Sequence, residues 1–396
     1  VKILVGIPAL STAAVAFSLV LAACGGGNSS QGGSASSGGN SSSSGGSSSG
    51  SSSSSGSAGY NWTALGSALD SYLTTTSPAP SGSVDGYSFL VYNKTGVLYT
   101  RAGGNQTVDS VVALASASKM PSAAAIMTLV DSGKLDLDTT VSTYLAGSGV
   151  TWPSDKAAIT TRMLLAHTSG LPGLADSTNP SCINKETSTT LRACVQSIAN
   201  TALVSQPGAE FNYGGADYQV AGYIATLLSR QDWQTFFSAA IATPLALSTF
   251  TYGSGLLVTN PRIAGGARSD IADYATILQM LQNNGVYNGA QVLSASSVAV
   301  LENNAINGLP KAHTPFPSSV AADYPGYGLG LWTESAALYS GSPGPEYSDP
   351  GLYGTCPWID NGLEYGAIVL IDQDVTTGLS MWNAARSQII KQLAGG

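Results

Sequence analysis

Ser116 and Lys119 are the two residues best spaced for chemistry. They frame Ser116-Ala117-Ser118-Lys119, the only Ser-x-x-Lys in the chain. A serine hydroxyl is a poor nucleophile until a base takes its proton. A lysine amine serves as that base only when burial or a nearby cation lowers its pKa. Positions i and i+3 share a helix face, so the amine of Lys119 can reach the hydroxyl of Ser116. The apolar run Val111 to Ala115 before the motif, and Met120-Pro121 after it, make burial of Lys119 expected. A second constellation is Phe211-Asn212-Tyr213-Gly214-Gly215, which follows the turn Gln206-Pro207-Gly208. A tyrosine on such a loop can present its phenol to a cleft as acid or base. The lipase-like Gly46-Ser47-Ser48-Ser49-Gly50 lacks the preceding strand and following helix of a nucleophile elbow, and is set aside.

The elements around these residues set where they can go. Tyr60 to Leu73 reads as an amphipathic helix. Tyr87 to Asn93 and Val97 to Arg101 read as two strands joined by a turn at Lys94-Thr95-Gly96. Ser118 to Val130 is apolar at helical spacing, as are Tyr218 to Leu228, Asp232 to Ile241 and Ile271 to Asn283. Strands return at Tyr327 to Trp332 and Gly366 to Asp372, and a helix over Ala384 to Leu393 closes the chain. This order predicts an α+β fold. One antiparallel sheet would be built from both chain ends and flanked by helices, with a helical lobe inserted over about 160–285. A crevice between sheet and lobe is the expected place for a site.

Ile3 to Ala23 is an uncharged, mostly apolar run after Lys2. It ends in Leu21-Ala22-Ala23-Cys24, and Gly/Ser repeats follow at once. These residues resemble the lipobox of bacterial lipoproteins. We therefore expect a signal peptide over 1–23, lipid on Cys24, and a flexible Gly/Ser tether over 24–59. A single transmembrane anchor is the alternative. Roughly 335 residues remain from 60 to 396, enough for one large domain or two intimate lobes. Charged residues make up 10 %, the net charge is −8, and no basic cluster occurs, so a nucleic-acid partner is not expected. In an oxidising compartment Cys182 and Cys194 can close a short loop, leaving Cys356 over; three free thiols are the alternative. The two histidines lie far apart without ligand spacing, so neither metal nor other cofactor is called for.

Taken together, the motifs resemble the serine β-lactamase and penicillin-binding-protein superfamily. The resemblance rests on Ser116-Ala117-Ser118-Lys119, then Leu164-Leu165-Ala166-His167-Thr168-Ser169-Gly170-Leu171-Pro172, then Pro207-Gly208-x-x-Phe211-x-Tyr213. Gly133 to Asp138, Pro244-Leu245, Gly265 to Ser269 and Tyr327 to Gly330 follow the same pattern, over roughly residues 60 to 395. The class C β-lactamase-like branch, which includes family VIII carboxylesterases, is the most similar. The resemblance implies the β-lactamase/transpeptidase-like fold and a serine hydrolase. Ser116 would be the acylated nucleophile, and Lys119 and Tyr213 would share its proton. The backbone N–H groups of Ser116 and Leu352 would form the oxyanion hole. His167 lies on a structural motif of the family, although a Ser116–His167–Asp triad is the competing assignment. His313 is expected in an exposed loop.

Two positions depart from the family pattern. Gly215 stands where an asparagine is usual. Asp349-Pro350-Gly351 is the best candidate for the third motif, which usually begins with a cation; Asp349 there would repel a substrate carboxylate. The expected reaction is therefore hydrolysis of an ester or amide on a small uncharged acyl substrate. A penicillin-binding D,D-carboxypeptidase or weak β-lactamase, and a non-catalytic cell-envelope binding module, are the alternatives. The expected partners are that small molecule and, through Cys24, a membrane. Gly25 rather than Asp after the cysteine resembles sorting to the outer membrane, on its periplasmic face.

Overall fold

The structure, a computed structural model, describes residues 59–395 except Ser254 and Leu256. The expected signal peptide, Cys24 and nearly all of the expected tether lie outside the described residues.

The architecture is mixed helix and antiparallel sheet. Seven strands make the main sheet: β1 (Gly86–Asn93), β2 (Gly96–Gly104), β3 (Gly326–Tyr327), β4 (Trp332–Thr333), β5 (Glu346–Ser348), β6 (Cys356–Asp360) and β7 (Tyr365–Leu370). Their spatial order is β3-β4-β5-β6-β7-β1-β2, and all neighbours are antiparallel. The two chain ends meet where β1 pairs with β7, from Ser88 opposite Leu370 to Asn93 opposite Tyr365.

Strand alternation serves two cores at once, because successive side chains point to opposite faces. Leu90, Tyr92, Ile359, Ile368 and Leu370 join the core formed with the helical region. Phe89, Val91, Trp358, Ala367 and Val369 join a second core with Leu65, Leu69, Trp382 and Ile389. The second core is covered by α1 (Thr63–Asp70) and α6 (Val375–Ala394). The first is covered by α5 (Ile271–Gln282), with α2 (Lys119–Asp131), α3 (Leu191–Asn200) and α4 (Ala216–Ser229) beyond it.

Three elements differ from the sequence reading. Tyr327 to Trp332 is a tight hairpin rather than one strand: the Gly328 N–H donates to the Leu331 carbonyl at 2.9 Å. The last helix starts near Val375 rather than Ala384, because the Asp374 carboxylate caps the Thr377 N–H at 2.9 Å. The helix expected over Asp232 to Ile241 is α-helical only over Trp233–Phe237 and continues as a wider π turn over Ser238–Ala242.

Candidate active site

Ser116 lies in a single 3₁₀ turn, Ala115–Ser118, that runs into α2. Ala115, immediately before it, has φ 47°. A left-handed backbone costs an L residue about 1–2 kcal/mol, so the turn must be held from outside. Several hydrogen bonds hold it. The Leu114 N–H donates to the Ala267 carbonyl at 2.9 Å, and the Ala267 N–H donates to Ser118 Oγ at 3.0 Å. Ser118 Oγ donates to the Ala115 carbonyl, and the Tyr274 hydroxyl donates to the Ala117 carbonyl, both at 2.7 Å. The position of Ser116 is thus set by the segment 267–274, about 150 residues away in sequence.

The structure brings Lys119 to Ser116. Lys119 is fully buried, and its Nζ lies 3.2 Å from Ser116 Oγ. Nζ also donates to the Ala264 carbonyl at 2.9 Å and sits 4.4 Å from the centre of the Tyr213 ring. Among the described residues no carboxylate comes within ion-pair distance of it. Burial lowers its pKa to about 8, and the Arg262 guanidinium pushes the same way, against Asp349 and Asp217. Such an amine is available as a base near neutrality, and Ala264 fixes one of its N–H groups so that its lone pair can turn to Ser116.

Tyr213 is in the same site, in a different state. Burial, reinforced by Asp349, raises its phenol well above the usual value, with Ser116 opposing slightly. Its hydroxyl has no hydrogen-bond partner among the described residues, so Ser116 is near it without bonding to it. Tyr213 is therefore protonated at rest, and of the two side chains Lys119 is the one able to accept a proton near neutrality. Gly215 also has a packing reason. A Cβ there would meet Ile183 Cγ2 at 3.0 Å, so the asparagine usual at this position would be crowded out.

His167 does not join Ser116. Its ring is buried among Tyr213, Tyr218, Tyr327 and Phe211, at 4.7, 5.3, 5.3 and 5.9 Å between centres. Nδ1 lies 3.0 Å from Asp217 Oδ2, while Nε2 has no partner. Burial, then Lys119, lowers the ring's pKa, and burial raises Asp217, so a neutral pair is favoured. The pair supports Tyr213 from beneath and leaves the triad assignment without its serine. His313 is exposed, as expected, although it ends the short strand Lys311–His313 rather than lying in a loop.

The third-motif loop follows β5, and one expectation about it fails. Asp349 is fully buried and does not line the cleft. Its Oδ2 accepts the Met120 N–H at 2.8 Å, capping α2, and burial raises its carboxyl well above the usual range. It cannot repel a substrate carboxylate from there. The argument for an uncharged substrate, which rested on that repulsion, goes with it. Gly351 lies against the Ser116 turn: a Cβ would meet the Leu114 carbonyl oxygen at 2.1 Å and the Ala117 nitrogen at 3.4 Å. The Gly351 N–H donates to the Thr355 carbonyl at 2.7 Å, while neither the Ser116 nor the Leu352 N–H has a protein acceptor among the described residues. Those two donors remain open.

The cleft over Ser116 and Lys119 encloses about 350 Å³. Leu174, Ile183, Phe316, Pro350, Leu352 and Val375 make it largely apolar, with Leu174 and Leu352 at 55 % and 62 % exposed. A disulfide between Cys182 and Cys194 ties the Ile183 turn to α3, and Cys356 is free and buried. Sequence reasoning missed Arg262, which also lines the cleft. Its place three residues before the Gly265-Gly266 motif was the only signal. No cluster of three potential metal ligands occurs among the described residues.

Comparison with known proteins gives three findings. Residues 68–388 match the family described as Beta-lactamase. Penicillin-binding protein 4 of Amycolatopsis lactamdurans is 31 % identical over 155 residues, covering 38 % of this chain and 39 % of that protein. The match thus spans less than half of that relative. Among solved structures, one described as a candidate beta-lactamase from Bacteroides dorei DSM 17855 superposes with a TM-score of 0.69 at 25 % identity, over 85 % of this chain and 99 % of that one. A family VIII carboxylesterase superposes at 0.65 with 15 % identity, over 83 % and 97 %, a likeness of fold.

Proposed function

Because the chain belongs to the beta-lactamase family of serine hydrolases, we propose that it hydrolyses an ester or amide through an acyl-enzyme on Ser116. The observation that carries the reading is the buried Lys119 amine 3.2 Å from Ser116 Oγ, with a pKa near 8 and no carboxylate partner among the described residues. Neutral Lys119 takes the Ser116 proton as Oγ bonds to the substrate carbonyl carbon. The carbonyl oxygen becomes an oxyanion facing the open N–H groups of Ser116 and Leu352. As the carbonyl re-forms, the bond to the leaving alcohol or amine breaks, and that group receives a proton from Tyr213, which Lys119 replenishes. Water then attacks the acyl-enzyme and gives its proton to Lys119; as the bond from the acyl carbon to Ser116 Oγ breaks and the acid leaves, Lys119 returns that proton to Oγ, restoring both residues.

The test is turnover of a short-chain nitrophenyl ester together with covalent labelling by a fluorescent phosphonate. Wild type should react in both assays and Ser116→Ala in neither. Equal turnover by the two proteins, or a folded wild type that takes no label and so acts as a binding module, would overturn the reading. A penicillin-binding carboxypeptidase is the second reading, favoured by the identity to Penicillin-binding protein 4. Stable labelling of Ser116 by fluorescent penicillin would select it. We also propose that lipid on Cys24 anchors the protein to the periplasmic face of the outer membrane. Cys24→Ala should abolish incorporation of labelled fatty acid.

A further inference from the structure

We infer that Arg262 is the substrate-recognition cation of this cleft, and that the substrate carries a carboxylate beside an apolar body. The inference rests on the acyl-transfer reading above and adds a specificity residue to it.

Three observations carry it. First, Arg262 lines the same cleft as Ser116 and Lys119, and no Asp or Glu among the described residues does. Second, the guanidinium is unpaired. Among the described residues it makes no salt bridge and no hydrogen bond, and its Nε is buried without a partner. A buried N–H left unmade is costly, and a carboxylate is the group that a guanidinium fork meets best. Third, its backbone is held rigidly. The Arg262 carbonyl accepts the Gly265 and Gly266 N–H groups at 3.1 and 2.7 Å. The Gln219 side chain accepts the Ile263 N–H at 2.8 Å, and Ser122 Oγ donates to the Ile263 carbonyl at 2.8 Å. Lys119 itself holds Ala264. A cation on so fixed a support, at the edge of an apolar cleft, is pre-organised for an anion. It comes from the helical lobe rather than from the third-motif loop, where Asp349 has turned away beneath α2.

Two pairs of chromogenic esters test this. 4-Nitrophenyl hydrogen glutarate and its methyl ester differ by one carboxylate on the acyl side; 3-carboxy-4-nitrophenyl butyrate and 4-nitrophenyl butyrate differ by one on the leaving group. In at least one pair, wild type should favour the carboxylated member by about tenfold or more in kcat/KM at low salt. Arg262→Met should bring that ratio to within about twofold of unity, and Arg262→Lys should retain part of it. The ratio cancels any general effect on Lys119. No preference in wild type, or a preference that survives in Arg262→Met, overturns the inference and leaves the Ser116 chemistry standing. Failure of all four esters and of the phosphonate overturns both. Should Arg262→Met not fold, the wild-type preference decides: erosion at high salt supports the inference and salt insensitivity overturns it.

Discussion

Two cationic sites of the protein are built in opposite ways. Between the sheet and α6, Arg386 is clamped by two carboxylates, Glu334 at 2.5 Å and Glu346 at 3.0 Å, and lies 4.2 Å from the Trp382 ring. All three charged groups are almost fully buried. In the cleft, buried Lys119 and half-buried Arg262 have no carboxylate within ion-pair distance among the described residues. A closed cluster raises the Arg386 pKa and leaves it no reactivity. In the open one, burial lowers Lys119 to about 8, and hydrogen-bonding capacity is left for something that arrives from solution. The contrast teaches that pairing, rather than burial, separates charge that holds the fold from charge that acts.

Substitutions can break that contrast. The largest effect is expected from Lys119→Met. Ester turnover should fall by about 10²–10⁴-fold, the range for a lost general base, while the melting temperature holds or rises. A large drop in melting temperature would place Lys119 among the structural cations. Arg386→Met should do the reverse. Leaving two buried carboxylates unpaired should destabilise by about 3–5 kcal/mol in denaturant titration. A loss below about 1 kcal/mol would equate the cluster with a surface pair and undo the comparison.

Gly351→Ala sharpens the picture at the third-motif loop. The added methyl must displace the backbone next to Leu114, so kcat/KM should fall on the order of 10²-fold. Wild-type kinetics would count against a rigid wall there. The smallest effect concerns pH. Neutral Lys119 is the active form, so kcat/KM should rise with pH, about tenfold per unit below the pKa, and level off above about 8. Arg262 disfavours the charged amine, so Arg262→Met should move that midpoint upward. A downward shift would show that the two cations do not interact as described.

Much of this was legible in the sequence because it is local. Ser116 and Lys119 are three residues apart, and helical geometry alone brings them together. Period-two and helical patterns located β1, β2, β7 and most of the long helices. Strands β3 to β6 were harder, because they run only two to five residues and are interrupted or separated by Gly328, Pro350, Gly351 and Pro357. At that length neither period shows. Asp349 was legible in position and misjudged in direction. Which way a side chain turns at a strand end depends on whether a partner such as the Met120 N–H lies underneath, and Met120 is 229 residues away in sequence. Arg262 was missed for the same reason: an unpaired cation is defined by which acids are absent around it, a property of three-dimensional neighbourhood.

The amino-acid sequence by itself determined that the Ser116 hydroxyl and the Lys119 amine lie side by side, and the order of elements that carry them, since each depends on short-range spacing and periodicity. Tertiary structure alone decided the electrostatics of the site. It divided the roles of Lys119 and Tyr213, buried Asp349 beneath α2, and left Arg262 facing the cleft without a partner. The physical reason is that pKa and pairing are sums over everything within a few ångströms, and at this site those neighbours come from five distant stretches of chain.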